Sequence, residues 1–142
     1  MIIGVPKEIK NHEYRVGLTP SSVHELLSHG HKVVVETKAG GGIGFSDQDY
    51  QQAGATVVQT ALEVFNQADM IVKVKEPQLN ECKMLRPGQI LFTYLHLAPD
   101  LEQAKGLMES ECVAIAYETV TDCRGGLPLL APMSEVAGRM SI

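Results

Sequence analysis

Gln89-Ile90-Leu91-Phe92-Thr93-Tyr94-Leu95, running into His96-Leu97, is the stretch on which the fold turns. It is apolar with little alternation and too short for an ordinary helix, so it reads as a strand buried on both faces of a sheet. Pro87-Gly88 turns the chain just before it. Just after it, Pro99–Ser110 carries Leu101, Ala104, Leu107 and Met108 at helical spacing, which predicts an amphipathic helix with those side chains inward. Cys112–Tyr117 then reads as another buried strand. Strand, helix and strand in that order are the unit of a parallel sheet, because parallel neighbours need a crossover.

The same alternation extends upstream. Met1–Pro6 is strand-like, and Thr19-Pro20 supplies an N-cap and first-turn proline for a helix with Val23, Leu26 and Leu27 on one face, ending at Gly30. Lys32–Glu36, Thr56–Val58 and Asp69–Val74 read as strands, and Asp47–Ala53, Ala61–Gln67 and Leu79–Leu85 as helices. The expectation is one three-layer α/β domain, a mostly parallel sheet flanked by helices in the flavodoxin-like or Rossmann-like manner, with strand order left open. Leu127–Pro132 reads as an extended apolar connector, and Met133–Ile142 begins a helix with Val136, Met140 and Ile142 on one face. That helix has no stop signal, so residues 1–132 are expected to be the domain and 133–142 the start of a helix leading to a part not included here.

Composition narrows the function classes. The 142 residues suffice for one core, and twelve basic against seventeen acidic side chains give a net charge of −5, which argues against nucleic acid. Apolar runs fall far short of the roughly 20 residues a membrane span needs, and the N-terminal strand lacks the pattern of a secretory signal, so a cytoplasmic location is expected. Cys82, Cys112 and Cys123 form no CxxC pair and are expected as reduced thiols. Gly40-Gly41-Gly42-Ile43-Gly44 departs from G-x-G-x-x-G and reads as a connection, and no metal-ligand spacing or hydrolase motif occurs.

Chemistry-bearing side chains gather where strands end. Carboxyl ends of parallel strands share one edge of the sheet, so Lys75, released by Lys73-Val74-Lys75-Glu76-Pro77, and His96 can face one pocket. His96 suits proton exchange near neutral pH, or else a structural bond to a backbone carbonyl. Lys75 suits a carboxylate or carbonyl oxygen; Lys73, two residues earlier, is expected on the same side, one of the two being a solvated charge, with Glu76 available to neutralise them. Arg15, in the loop after the first strand, can grip a carboxylate with a two-pronged fork or else pair with Glu8 or Glu13.

Gly4-Val5-Pro6-Lys7-Glu8, Glu13-Tyr14-Arg15-Val16, Val72–Pro77, Thr93–Ala98, Ala116-Tyr117-Glu118-Thr119 and Pro132-Met133-Ser134 together resemble the amino-terminal part of the alanine dehydrogenase family, which extends to the proton-translocating nicotinamide nucleotide transhydrogenases. The resemblance covers the whole chain. It implies that a separate NAD-binding Rossmann domain lies outside these residues. It further implies that Arg15 and Lys75 bind substrate, that His96 is the general acid/base with Lys75 beside it, and that Ser134 and Met133 face the NAD cofactor. The implied reaction is reversible oxidative deamination of L-alanine to pyruvate and ammonium, commonly by a hexamer. The chain alone is expected to bind pyruvate or alanine weakly and not to turn over. A transhydrogenase-like nucleotide-binding and coupling subunit and a non-catalytic carboxylate-binding module are the alternatives.

Overall fold

The structure is a computed structural model and describes residues 1–140. A single sheet of six strands, all parallel, has the order β3-β2-β1-β4-β5-β6: β1 (Ile2–Val5), β2 (Lys32–Glu36), β3 (Thr56–Val58), β4 (Met70–Val72), β5 (Ile90–Thr93) and β6 (Val113–Ala116). Six α-helices alternate with them: α1 (Pro20–Ser28), α2 (Asp47–Gln52), α3 (Ala61–Gln67), α4 (Leu79–Cys82), α5 (Leu101–Ser110) and α6 (Ala131–Met140). The α/β architecture expected from the alternation is thus observed. The chain reverses its direction of winding between β1 and β4, and at such a switch point the loops leaving the two strands part and open a crevice.

Local chemistry starts the helices where the sequence places them. Thr19 caps α1 with its side chain, while Ser46 and Thr60 form reciprocal capping boxes with Asp49 and Glu63 at α2 and α3. Strand alternation then sorts the core in two. Ile3, Val5, Val33 and Val35 pack beneath Val23 of α1 and Tyr50 of α2, and Val34, Ile71 and Leu91 pack against Val64 and Phe65 of α3, Cys82 of α4 and Leu107 of α5. Gly4 allows α3 to lie close: a Cβ there would stand 2.7 Å from both the Ala68 and Val64 side chains.

Several expectations are corrected. The strand Val113–Ala116 is an exposed edge, not a buried strand, with Val113 50% and Ile115 39% exposed, because among the described residues no helix covers β5 and β6 on the side of α1. In α5, Leu107 is inward but Leu101 and Met108 point out, 68% and 78% exposed, and the inward polar residue is Gln103 at 2%. Residues 128–130 form a turn rather than an extended connector, and α6 starts at Ala131, two residues earlier than expected, which puts Pro132 in a first turn that tolerates it. Every residue of α6 is exposed. Ile142 lies outside the described residues. No helix among the described residues is long and apolar enough to cross a membrane.

Candidate functional site

The strand ends converge as parallel topology requires. Pairing between β4 and β5 continues past both: the Lys73 N–H donates to the Phe92 carbonyl at 3.1 Å and the Tyr94 N–H to the Val74 carbonyl at 3.3 Å. The buried Thr93 hydroxyl donates to the Lys75 carbonyl at 2.9 Å. Lys75 is therefore fixed by its backbone, while its ammonium has no hydrogen-bond or ion-pair partner among the described residues. Lys75 and His96 line one hollow of about 370 Å³, shared with Tyr94, Glu118, Leu130 and Met133. A Lys10–Glu76 ion pair closes its rim. Glu76 thus neutralises Lys10 and neither of the nearby lysines.

Lys73 does not share this face. Its side chain is 1% exposed and its ammonium is locked between Glu8 at 3.1 Å and Glu81 at 2.8 Å. The other Glu8 oxygen accepts the Val74 N–H at 2.7 Å, and the other Glu81 oxygen accepts the Gln78 N–H at 2.8 Å. A buried ammonium needs such partners, and the loop after β1 and helix α4 deliver them. Burial pushes the Glu8 carboxyl above its ordinary value although Lys73 pulls it down. The choice between the two lysines, open in the sequence, is made by packing.

Arg15 is engaged within its own loop. Its Nε and Nη2 donate to the two Glu13 carboxylate oxygens at 2.8 and 2.6 Å, a bidentate pair, so Glu13 rather than Glu8 is its partner. The hydrogen bonds from Arg15 hold the Glu13 carboxyl down to about 2, with the charge of Lys75 adding to the effect. The remaining Nη1 reaches the Met133 sulfur at 3.6 Å. Arg15 does not line the hollow of Lys75 and His96. It borders an apolar hollow of about 580 Å³ over the bare side of β4 and β5, joined to the first through Tyr94. Gly17 lets this loop lie across the end of β4, since a Cβ there would stand 2.5 Å from the Val72 carbonyl oxygen.

Met133, in the first turn of α6, lines the hollow, whereas Ser134 sits exposed beside it with its hydroxyl donating to the Leu130 carbonyl at 3.5 Å. Two residues of the site are ones that strand-end reasoning passed over. Tyr94 donates from its hydroxyl to the Leu129 carbonyl and meets the Tyr117 ring edge-on at 4.9 Å and 89°. Glu118 accepts the backbone N–H groups of Leu95 and His96. Glu118 follows β6 as His96 follows β5, so the same rule applied once more along the chain would have found it. Among the described residues no group of three or more His, Cys, Asp or Glu stands so as to hold a metal ion.

The hollow of Lys75 and His96 thus presents an unpaired ammonium and an exposed imidazole, and the Arg15 guanidinium in the adjoining hollow points its Nη1 at Met133 on the wall of the first, an arrangement that suits a small organic acid that exchanges protons. A family model described as alanine dehydrogenase/PNT, N-terminal domain, matches residues 4–137. The chain belongs to this family. As a member of the alanine dehydrogenase/PNT N-terminal domain family it is 56% identical over 142 residues to the alanine dehydrogenase of Halomonas elongata, covering 100% of this chain and 38% of that protein. With the alanine dehydrogenase of Bacillus subtilis it shares 55% over 141 residues, or 99% of this chain and 37% of the other. A solved L-alanine dehydrogenase aligns with TM-score 0.94 and 56% identity over 100% of this chain and 39% of its own. A transhydrogenase from Sinorhizobium meliloti aligns with TM-score 0.80 and 32% identity over 87% of this chain and 37% of its own. The chain spans 37–39% of the length of these family relatives.

Proposed function

We propose that this chain is the substrate-binding and proton-transferring part of an NAD-dependent alanine dehydrogenase, which interconverts L-alanine with pyruvate and ammonium. The observation that carries the reading is the shared hollow of Lys75 and His96, with Met133 joining it to Nη1 of Arg15, the nitrogen not held by Glu13. In this reading Arg15 meets the substrate carboxylate through Nη1, its other edge being held by Glu13. The Lys75 ammonium faces the carbonyl oxygen and stabilises negative charge that develops there. His96 passes protons as water adds to the imine and the carbinolamine collapses. Glu13 has a supporting part: it keeps the guanidinium plane fixed so that only one prong is offered.

NAD, when bound, supplies the hydride acceptor. The residues here fit its nicotinamide end: the exposed first turn of α6 offers Met133 and the Ser134 hydroxyl beside the hollow, and among the described residues no glycine-rich dinucleotide turn opens a helix. We assign residues 1–132 to the substrate side and 133–142 to the segment leading towards the cofactor side. A homohexamer acting in the cytoplasm completes the reading. The 142-residue chain by itself binds pyruvate or alanine weakly and does not turn over.

Steady-state kinetics of the full-length enzyme test it. His96→Ala and Lys75→Ala each lower kcat/KM for alanine by at least about 100-fold, the range of a lost general acid/base or preorganised charge. Wild-type turnover in either variant rejects the assignment. The likeness to a transhydrogenase favours a second reading, a nucleotide-binding coupling unit, in which His96→Ala leaves nucleotide exchange intact and alanine is no substrate.

A further inference from the structure

What aims the His96 imidazole is not a contact to its ring. The side chain is exposed and makes no hydrogen bond, ion pair or ring contact among the described residues. Its backbone, by contrast, is held in the left-handed region at φ +45°, where a residue bearing a Cβ is disfavoured by roughly 1–2 kcal/mol. A conformation of that cost persists only where its surroundings dictate it.

The surroundings do so at both ends of one peptide group. The carbonyl of Leu95 accepts from Gln103 Nε2 at 3.0 Å, and the N–H of His96 donates to Glu118 Oε1 at 2.7 Å. The same carboxylate also accepts the Leu95 N–H, at 3.1 and 3.2 Å. Gln103 is itself immobilised: it is 2% exposed, it stands in the first turn of α5, and its backbone N–H is capped by Asp100 at 2.9 Å. Among the described residues its Oε1 is buried without a hydrogen-bond partner, and the side-chain amide is satisfied through the Leu95 carbonyl. Glu118 reaches the peptide from the opposite side, out of the short turn Tyr117–Thr119 that follows β6. Helix α5 and strand β6 thus grip the peptide entering His96 between them.

We propose that Gln103 and Glu118 are positioning residues for the proton transfer: they clamp the Leu95–His96 peptide in its disfavoured conformation and so turn the imidazole into the hollow. The proposal rests on the dehydrogenase reading above for its kinetic consequence, and on geometry alone for its structural one. Gln103 is the cleaner probe, because it does not line the hollow and cannot touch the substrate, whereas Glu118 lines it.

The test uses the full-length enzyme with Gln103→Met, Glu118→Ala and Glu118→Gln. Misplacing a catalytic group by about 1 Å costs on the order of 100-fold, so Gln103→Met and Glu118→Ala are expected to lower kcat by about 10- to 100-fold while KM for alanine stays within about threefold. Glu118→Gln, whose amide oxygen still accepts the His96 N–H, is expected to recover most of kcat. Amide hydrogen exchange is read in parallel. Protection at Leu95 and His96 falls at least about tenfold in Glu118→Ala, without matching loss at the core strand Ile90–Thr93. Unchanged kcat in Gln103→Met, or a raised KM with intact kcat in Glu118→Ala, overturns the clamp. Should the wild-type enzyme not oxidise alanine, the parent reading falls, and the exchange experiment still decides the clamp: unaltered protection at Leu95 and His96 rejects it.

Discussion

Lys73 and Lys75 stand two residues apart and have opposite fates. Strand spacing alone puts them on one side, but beyond Val72 the chain leaves regular strand geometry, and Lys73 finds two carboxylates inside while Lys75 finds none. Removing the buried ammonium strands Glu8 and Glu81 together in the interior. Lys73→Met is therefore expected to cost about 3–5 kcal/mol at pH 7, measured by chemical denaturation. The loss should shrink on acidification. The folded-state value of Glu8 already lies above its ordinary 4.5, and deleting Lys73 removes an influence that lowers it. A carboxyl that binds its proton more tightly folded than unfolded adds stability as pH falls through its folded value towards 4.5. A deficit equal at pH 7 and at pH 5 contradicts this account. Arg15 carries a similar lesson: its charge was plain in the sequence, but only the fold decides that two of its three nitrogens are committed to Glu13.

Elements were the most legible level, and their faces the least. Capping residues and glycines place α1, α2 and α3 to within a residue or so, and Ala61–Gln67 is observed with the bounds read from the sequence. The inward face of α5 was misjudged because an apolar stripe marks burial only where something lies over it, and Leu101 and Met108 have no cover. Gln103 is inward because the Leu95 carbonyl needs a donor there. The loop after β1 is positioned by a close approach instead of by pattern. In Gly17→Ala the new Cβ meets backbone of Val72 that cannot swing aside, at 2.5 Å from O and 2.9 Å from C. The loop carrying Arg15 must lift from the end of β4, at a cost of about 1–3 kcal/mol. Thermal unfolding should report that loss, and in the full-length enzyme KM for alanine should rise more than kcat falls, since Arg15 binds and does not transfer protons.

The molecule as a whole is covered unevenly. Helices α3, α4 and α5 cover one side of the sheet, whereas on the other side α1 and α2 cover only the half containing β1 to β3. Phe92 and Met70 line the apolar hollow on the bare half, Ile115 of the edge strand is 39% exposed, and α6 exposes Val136 at 57% and Met140 at 80%. A bare apolar expanse of this kind binds apolar dyes and promotes association. The 142-residue chain is expected to enhance ANS fluorescence, and Ile115→Lys to reduce that signal while shifting stability by no more than about 0.5 kcal/mol, the usual range for a surface substitution. Undiminished dye binding in the variant places the exposed surface elsewhere. Short-range features, namely hydrophobic period, caps, turns and the alternation of strand with helix, were enough to establish a parallel α/β domain and to bring Lys75 and His96 to one edge of it. Strand order, the burial of Lys73 and the gripping of the Leu95–His96 peptide depended on which segments meet across sequence separations of 8 to 66 residues. Those meetings are settled by burial and polar satisfaction acting over the entire chain, and no local stretch contains them.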